Sequence, residues 1–209
     1  MSRFPLRPGP TPHGLRPTLA STLFATIASV VLLAAAPDAD AAGPNPQVLM
    51  KTSLGDIVIE LYPQKAPKTV ANFLKYVDDG FYSDTVFHRV IGNFMIQGGG
   101  MKKDLSRKDT RPPIPLESQN GLKNDKGAIA MARTNVPESA TSQFFINTAD
   151  NASLNYPQPD GHGYAVFGKV VKGIETVEKI AAVKTGRQGM HGDVPLEPVM
   201  IESVSRVQN

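Results

Sequence analysis

Eight short segments of this chain carry strand character and only two carry helix character, and that balance confines the fold more than any other feature. In GDIVIELY, Ile57, Ile59 and Leu61 alternate with Asp56, Val58 and Glu60, a period of two. SLGD just before it supplies a hairpin-type turn at Gly55, so Gln47–Thr52 and Asp56–Tyr62 are predicted to pair. Thr85–Ile91, Phe94–Gly98, Ala128–Ala132, Phe144–Asn147, Ala165–Val171 and Val199–Arg206 are likewise short, β-branched or aromatic, and bounded by turn residues. In APKTVANFLKYVDDGFY, Val70, Phe73, Leu74 and Val77 fall on one helical face, with Pro67 suited to the first turn and Gly80 to the stop. A second helix, in GIETVEKIAAV, places Ile174, Val177 and Ala181 on a face with Ile180 beside them. Many short strands with two helices predict a mainly β fold, a closed antiparallel barrel capped by helices, with a β-sandwich as the alternative. Between these segments Met101 to Lys126 forms a long loop of the kind that is functional or mobile.

The first forty or so residues read differently. MSRFPLRPGPTPHGLRP is basic and proline-rich, TLASTLFATIASVVLLAAA is apolar and uncharged, and PDADAAGPNP follows. A positive region, an apolar region and a small-x-small site describe a secretory signal peptide over residues 1–41, cleaved after Ala39-Asp40-Ala41. Cutting after Ala36 would set Pro37 beside the scissile bond. The alternative is an uncleaved anchor, since Thr18 to Ala36 is long enough for a thin bilayer. No adjacent arginines support a twin-arginine route, and without cysteine there is no lipoprotein anchor. Residues 42–47 then read as a short linker and 48–209 as one domain, with the periplasm as the expected location and no stable membrane association after cleavage.

The formal net charge is +3, of which the N-terminal segment, with Arg3, Arg7 and Arg16 against Asp38 and Asp40, carries one. No Lys/Arg stripe with interleaved aromatics appears, so nucleic acid is not an expected partner. The absence of cysteine removes disulfides, thiol nucleophiles and Cys-based metal sites together, and suits an oxidising compartment as well as a reducing one. His88, His162 and His191 have no partner at metal-ligand spacing, so no metal or other cofactor is expected. Monomer is the expected state, because no heptad or unusual apolar stripe appears.

The segment FHRVIGNFMIQGGG holds the most unusual chemistry. Alternation puts Arg89 on one face with Phe87 and Ile91, and His88 on the other, while Met95 and Gln97 share a face. An arginine in such a place is ordinarily an ion-paired surface residue. Gly98-Gly99-Gly100 would ordinarily be a bend, and no Gly-Lys-Ser/Thr follows to make it a phosphate loop. ATSQFFIN again sets an amide, Gln143, beside Phe144 and Phe145, with Phe144 expected in the core. Ser142 has no neighbouring base and reads as a serine preceding a strand, not a nucleophile.

Together these stretches, with KGAIAMART and GYAVFGKVVKGIETVEKI, resemble the cyclophilins, peptidyl-prolyl cis-trans isomerases, and most closely their bacterial periplasmic type. The resemblance runs from about Val48 to Val207 and implies an eight-stranded antiparallel barrel with two capping helices. It implies that Arg89 is the catalytic arginine, with Gln97 orienting it or bonding substrate backbone. It implies that Phe94 and Met95 line the site, that Ala132, Arg133 and Thr134 hold the substrate backbone, and that Phe145 and Leu154 form the proline pocket. Tyr164 stands where many members carry histidine, Ser153 where many eukaryotic relatives have tryptophan, and Arg133 where asparagine is usual. Loss of the indole implies weak cyclosporin binding. The implied partners are unfolded or flexible polypeptides containing X-Pro, turned over without cofactor or ATP. A module that holds X-Pro segments without turnover is the alternative, and Arg89 discriminates, since a pure binder has little need of it.

Overall fold

Alternate residues of eight strands fill the interior of one closed sheet, and closure leaves that sheet no free edge. The computed structural model describes residues 43–208; the reading of residues 1–41 as a signal peptide lies outside them. Their elements run β1 (Gln47–Thr52), β2 (Gly55–Leu61), α1 (Pro67–Asp78), β3 (Thr85–Ile91), β4 (Met95–Lys102), β5 (Ala128–Met131), β6 (Phe144–Asn147), β7 (Val166–Lys172), α2 (Ile174–Ala181), β8 (Thr185–Gln188), β9 (His191–Pro195) and β10 (Met200–Arg206). A single 3₁₀ turn covers Ala152–Leu154. Eight strands close in the order β1-β10-β3-β4-β6-β5-β7-β2, every pairing antiparallel, which rules out the sandwich. Closure pairs the backbone groups that an open sheet would leave at its two edges.

The interior is filled by alternate residues: Val48 and Met50, Ile57, Ile59 and Leu61, Ile129 and Met131, Phe144 and Ile146. α1 lays Val70, Phe73, Leu74 and Val77 against this core. The Phe73 ring sits 5.2 Å from those of Tyr82 and Phe167 and meets Phe144 edge-on at 5.9 Å. The start of α1 has no local cap, since Ala66 precedes it and no acid lies in its first turn. The long loop supplies one: Glu117 accepts from the backbone N–H of Lys68 (3.1 Å), and from the N–H and hydroxyl of Thr69 (2.8 and 2.7 Å). A carboxylate there satisfies orphan donors and meets the positive end of the helix dipole, worth about 0.5–2 kcal/mol. Tyr76 Oη accepting from Arg111 N–H, at 2.8 Å, ties the same loop to the helix.

The structure departs from the sequence reading in four places. The glycine run does not bend the chain: β4 continues through it to Lys102. Gly99, at φ +79°, and Gly100 are needed because a Cβ at either would run into the Phe144 ring or the Gln143 side chain. Phe87 and Arg89 do not share a face, because β3 bulges: Phe87 pairs with Gly98 and Arg89 with Gln97, so His88 is an extra residue in the ladder. In α2 the buried residues are Thr176, Val177 and Ile180, while Ile174, at the helix start, is 36% exposed. The β8–β9 hairpin has no periodic signal in the sequence, since TGRQGMHGDVP is glycine-rich, mostly exposed and lacks alternation.

Candidate active site

The same alternation that fills the barrel equips its outer surface. Met95, Ala128, Ala130, Phe145, Leu154 and Val166 form a second buried cluster, apart from the barrel interior, with Ile91, Phe94, Ala132 and Tyr164 packed on it. Neighbours in sequence divide between the two: Phe144 points in and Phe145 out, Ile96 in and Met95 out. Strand register then aligns one row across adjacent strands, Arg89 opposite Gln97, Gln97 opposite Phe145, Phe145 opposite Ala130 and Ala130 opposite Val166. The His88 bulge re-aims Arg89 out of the Phe87 alternation and into this row.

Over the row lies a hollow of about 140 Å³ lined by Arg89, Phe94, Met95, Gln97, Ala132, Arg133, Phe145, Leu154 and Tyr164. Pockets for drug-sized ligands run to about 300–1,000 Å³, so this one is sized for a single ring. A larger depression of about 560 Å³ between Glu117 and His162 is open to solvent and contains none of these residues. Phe145 and Tyr164 meet edge-to-face at 5.6 Å. Nine of the ten residues singled out in the sequence thus surround one space. Thr134 is not among the lining residues: its N–H and hydroxyl both engage the Ser139 hydroxyl, at 2.9 and 2.8 Å, in an exposed turn.

Arg89 lies half open to solvent. Among the described residues its ion pair is with Asp193 of β9, Nε to Oδ2 at 3.7 Å, with side chains 42% and 48% exposed. A pair so long and so wet does not lock the guanidinium. Gln97 is not hydrogen-bonded to Arg89; its amide donates to Gln143 Oε1 at 3.0 Å, because Gln143 lies alongside on the β4–β6 side. Arg133 differs again. Its side chain is 1% exposed and largely committed: Nε donates to the Gly163 carbonyl (3.0 Å), Nη1 to the Thr134 carbonyl (3.0 Å), and Nη2 to both oxygens of Asp160 (2.8 and 2.7 Å). Its guanidinium also lies 4.6 Å from the Tyr164 ring centroid. Arg133 is therefore a strut that ties Tyr164 and the 155–163 loop to the pocket wall, and its guanidinium hydrogen holds the Asp160 carboxyl below the usual range. Ser142 is buried, and its hydroxyl has no hydrogen-bond partner and hence no activating base. Among the described residues no cluster of His, Cys, Asp and Glu is placed to hold a metal ion.

His88, the bulge residue, is buried, and its Nδ1 has no partner. Burial pushes its pKa from 6.5 down to about 4; the Val86 carbonyl opposes this, while positive charge on His191, Arg89 and Arg107 adds to it. Because the folded pKa lies below the unfolded one, the folded state binds fewer protons, and the stabilisation is complete above about pH 6.5 and is lost as pH falls toward 4. By pH 5 on the order of 2 kcal/mol is lost. Urea unfolding at pH 7 and pH 5 measures this. His88→Gln is expected to abolish that difference; retention of the full slope in the variant would assign it elsewhere.

Asn124, Asn147, Asn151, Asp160 and Asp193 were missed by sequence reasoning. The repeated asparagines of INTADNASLN were a visible signal, but Phe94, Asn124 and Ala128, which they engage, lie far along the chain.

Residues 47–206 match the model of the cyclophilin type peptidyl-prolyl cis-trans isomerase/CLD family. The chain is 48% identical over 190 residues to peptidyl-prolyl cis-trans isomerase A of Dickeya dadantii, covering 91% of this chain and 100% of that one. It is 55% identical over 160 residues to peptidyl-prolyl cis-trans isomerase B of Escherichia coli, covering 76% and 98%. The crystal structure of a Cryptosporidium parvum cyclophilin type peptidyl-prolyl cis-trans isomerase superposes with a TM-score of 0.64 at 27% identity, covering 79% and 99%.

Proposed function

The chain belongs to the cyclophilin-type peptidyl-prolyl cis-trans isomerases and isomerises X-Pro peptide bonds, and from that premise we propose that it acts on unfolded or flexible exported polypeptides, assisting their folding, with Arg89 stabilising the twisted amide over an apolar proline pocket. The observation that carries the mechanism is the row Arg89–Gln97–Phe145 across β3, β4 and β6, which sets a cation held only by a long, solvated ion pair beside a ring-sized hollow walled by Phe94, Met95, Phe145 and Leu154.

Rotation about an X-Pro bond breaks no covalent bond. It passes through a state in which amide resonance is lost, over a barrier of about 18–20 kcal/mol, and takes tens to hundreds of seconds uncatalysed, to order of magnitude. Reaching milliseconds requires about 10⁴–10⁵-fold, or roughly 5.5–7 kcal/mol. That must come from binding the twisted amide better than either planar form. As resonance is lost the proline nitrogen becomes pyramidal and gains a lone pair. A guanidinium aimed there is a preformed donor whose value arises mainly in the transition state. Phe94, Met95, Phe145 and Leu154 bury the ring and hold it still, worth about 1.5–3 kcal/mol, while the preceding carbonyl swings. The deciding measurement is the exchange rate of an X-Pro peptide and the proline-limited refolding of a client with and without the protein; no acceleration of either would defeat this reading.

Export to the periplasm rests on the basic, apolar and small-residue succession of residues 1–41. Expression in a bacterial host followed by intact mass measurement is expected to find Ala42 as the first residue in the periplasmic fraction. A full-length protein retained with the membranes would instead support the anchor.

A further inference from the structure

A chain of three buried asparagines runs behind the proline hollow. Asn124 and Asn147 are 0% and Asn151 8% exposed. Asn151 Nδ2 donates to the Phe94 carbonyl and to Asn147 Oδ1, both at 2.7 Å. Asn147 Nδ2 donates to Asn124 Oδ1 (3.2 Å) and to the Ala128 carbonyl (3.1 Å). Asn124 Nδ2 donates to the Leu154 carbonyl (3.2 Å) and to Asn155 Oδ1 (3.1 Å). Each amide thus spends both its hydrogens, and none is left to turn to another partner.

The ends of this chain are the two walls of the hollow. The Phe94 carbonyl also accepts from Thr148 N–H at 3.1 Å, and the Leu154 carbonyl from Tyr164 N–H at 3.0 Å, so both acceptors are saturated. The middle is the floor, because Asn147 ends β6 two residues after Phe145 and pairs with Met95. Moving one wall relative to the other would strand a buried amide hydrogen, whereas an apolar backing would let the walls slide. A fully satisfied buried network specifies one arrangement.

Resting on the isomerase reading of the hollow, we infer that Asn124, Asn147 and Asn151 are positioning residues that fix the spacing of Phe94 and Leu154, and so restrict the site to a five-membered imino-acid ring. With walls held apart by hydrogen bonds, a six-membered ring has to force them open. One extra methylene in a rigid apolar pocket commands about 10–200-fold in kcat/KM.

The test compares paired peptides, Ala-Pro against Ala-pipecolyl. For the unsubstituted protein kcat/KM favours proline by about 10–200-fold. Asn151→Ala, at the solvent-side end of the chain, is expected to reduce that preference at least about fivefold, chiefly through a raised KM for the proline peptide. Asn147→Leu, at the hub, is expected to reduce it at least as far. Glu117→Ala, which removes the α1 cap at a residue that does not line the hollow, lowers stability without moving the ratio. A ratio within about twofold of the unsubstituted protein in folded Asn151→Ala would overturn the inference, as would an equal collapse in Glu117→Ala. Independently of any variant, the side-chain amide hydrogens of these three asparagines are expected to exchange into D₂O at least about 100-fold more slowly than those of exposed Asn135; exchange at the Asn135 rate would also overturn it. An unsubstituted protein that fails on the proline peptide would sink the isomerase reading instead, a different outcome from an unmoved ratio.

Discussion

Arg89→Ala is expected to lower kcat/KM for an X-Pro peptide by about 10²–10³, or roughly 2.7–4 kcal/mol of transition-state stabilisation. That is about half of the 5.5–7 kcal/mol the reaction asks for, and the proline hollow supplies part of the remainder. The loss should fall on kcat, because the lone pair that the guanidinium meets exists only in the twisted amide. Stability should hardly change. The side chain is 42% exposed, and its pairing with Asp193 is long and solvated, so nothing buried is left unpaired on truncation. Arg89→Lys separates charge from shape, keeping the cation but not the planar fork, and should recover only part of the rate. Protease-coupled or NMR exchange measurement of the peptide, beside circular dichroism of each variant, reads both quantities. A folded Arg89→Ala variant with an unchanged rate would remove the arginine from the mechanism and leave the apolar hollow as a binding site.

Gly99→Ala is expected to cost about 2–5 kcal/mol of stability, of which about 1–2 comes from forcing an L residue into the left-handed region and about 1–3 from overpacking. A Cβ on Gly99 would stand 2.6 and 2.8 Å from carbons of the Phe144 ring and 2.9 Å from a carbon of Tyr82. Neither ring can yield, since both are fully buried and Phe144 already meets Phe73, Tyr82 and Phe87 edge-on. In a domain of this size the midpoint of thermal unfolding should fall by roughly 10 °C. Gly121 is the control: it shares φ +79°, but nothing lies within 4 Å of its would-be Cβ. Gly121→Ala should therefore show the backbone cost alone. Equal losses for the two variants would mean that the rings move aside, and that the glycine run answers to backbone conformation and not to packing.

Much of this architecture was legible along the chain. Period-two alternation in GDIVIELY reported a strand with one buried face, and the aromatic pair Phe144-Phe145 a strand buried on both, because a pleated strand sends successive side chains to opposite sides whatever its partners are. The seam of α1 was equally plain, since Val70, Phe73, Leu74 and Val77 meet the core by helical geometry alone. The candidate site was legible mostly by resemblance, and nine of the ten residues so named surround the hollow. What stayed hidden depended on register or on distant partners. Nothing local in FHRVI shows that His88 is an extra residue in the ladder, and a bulge exists only once β4 sets the pairing. Nor does anything near Arg133 in the chain show that Asp160 and the Gly163 carbonyl, which take up most of its donors, lie about thirty residues on.

The amino-acid order by itself determined which side chains each strand and helix presents to each of its faces, because backbone stereochemistry imposes periods of two and 3.6 on any sequence. Only the closed barrel decided which faces meet. It brought Glu117 to an uncapped helix, set Arg89 opposite Gln97 and Phe145, and joined Phe94 to Leu154 through three asparagines. The reason is that hydrogen bonds and contacts a few ångströms long require atoms to be near in space, and nearness between residues far apart in the chain is a property of the fold, not of the order in which they are joined.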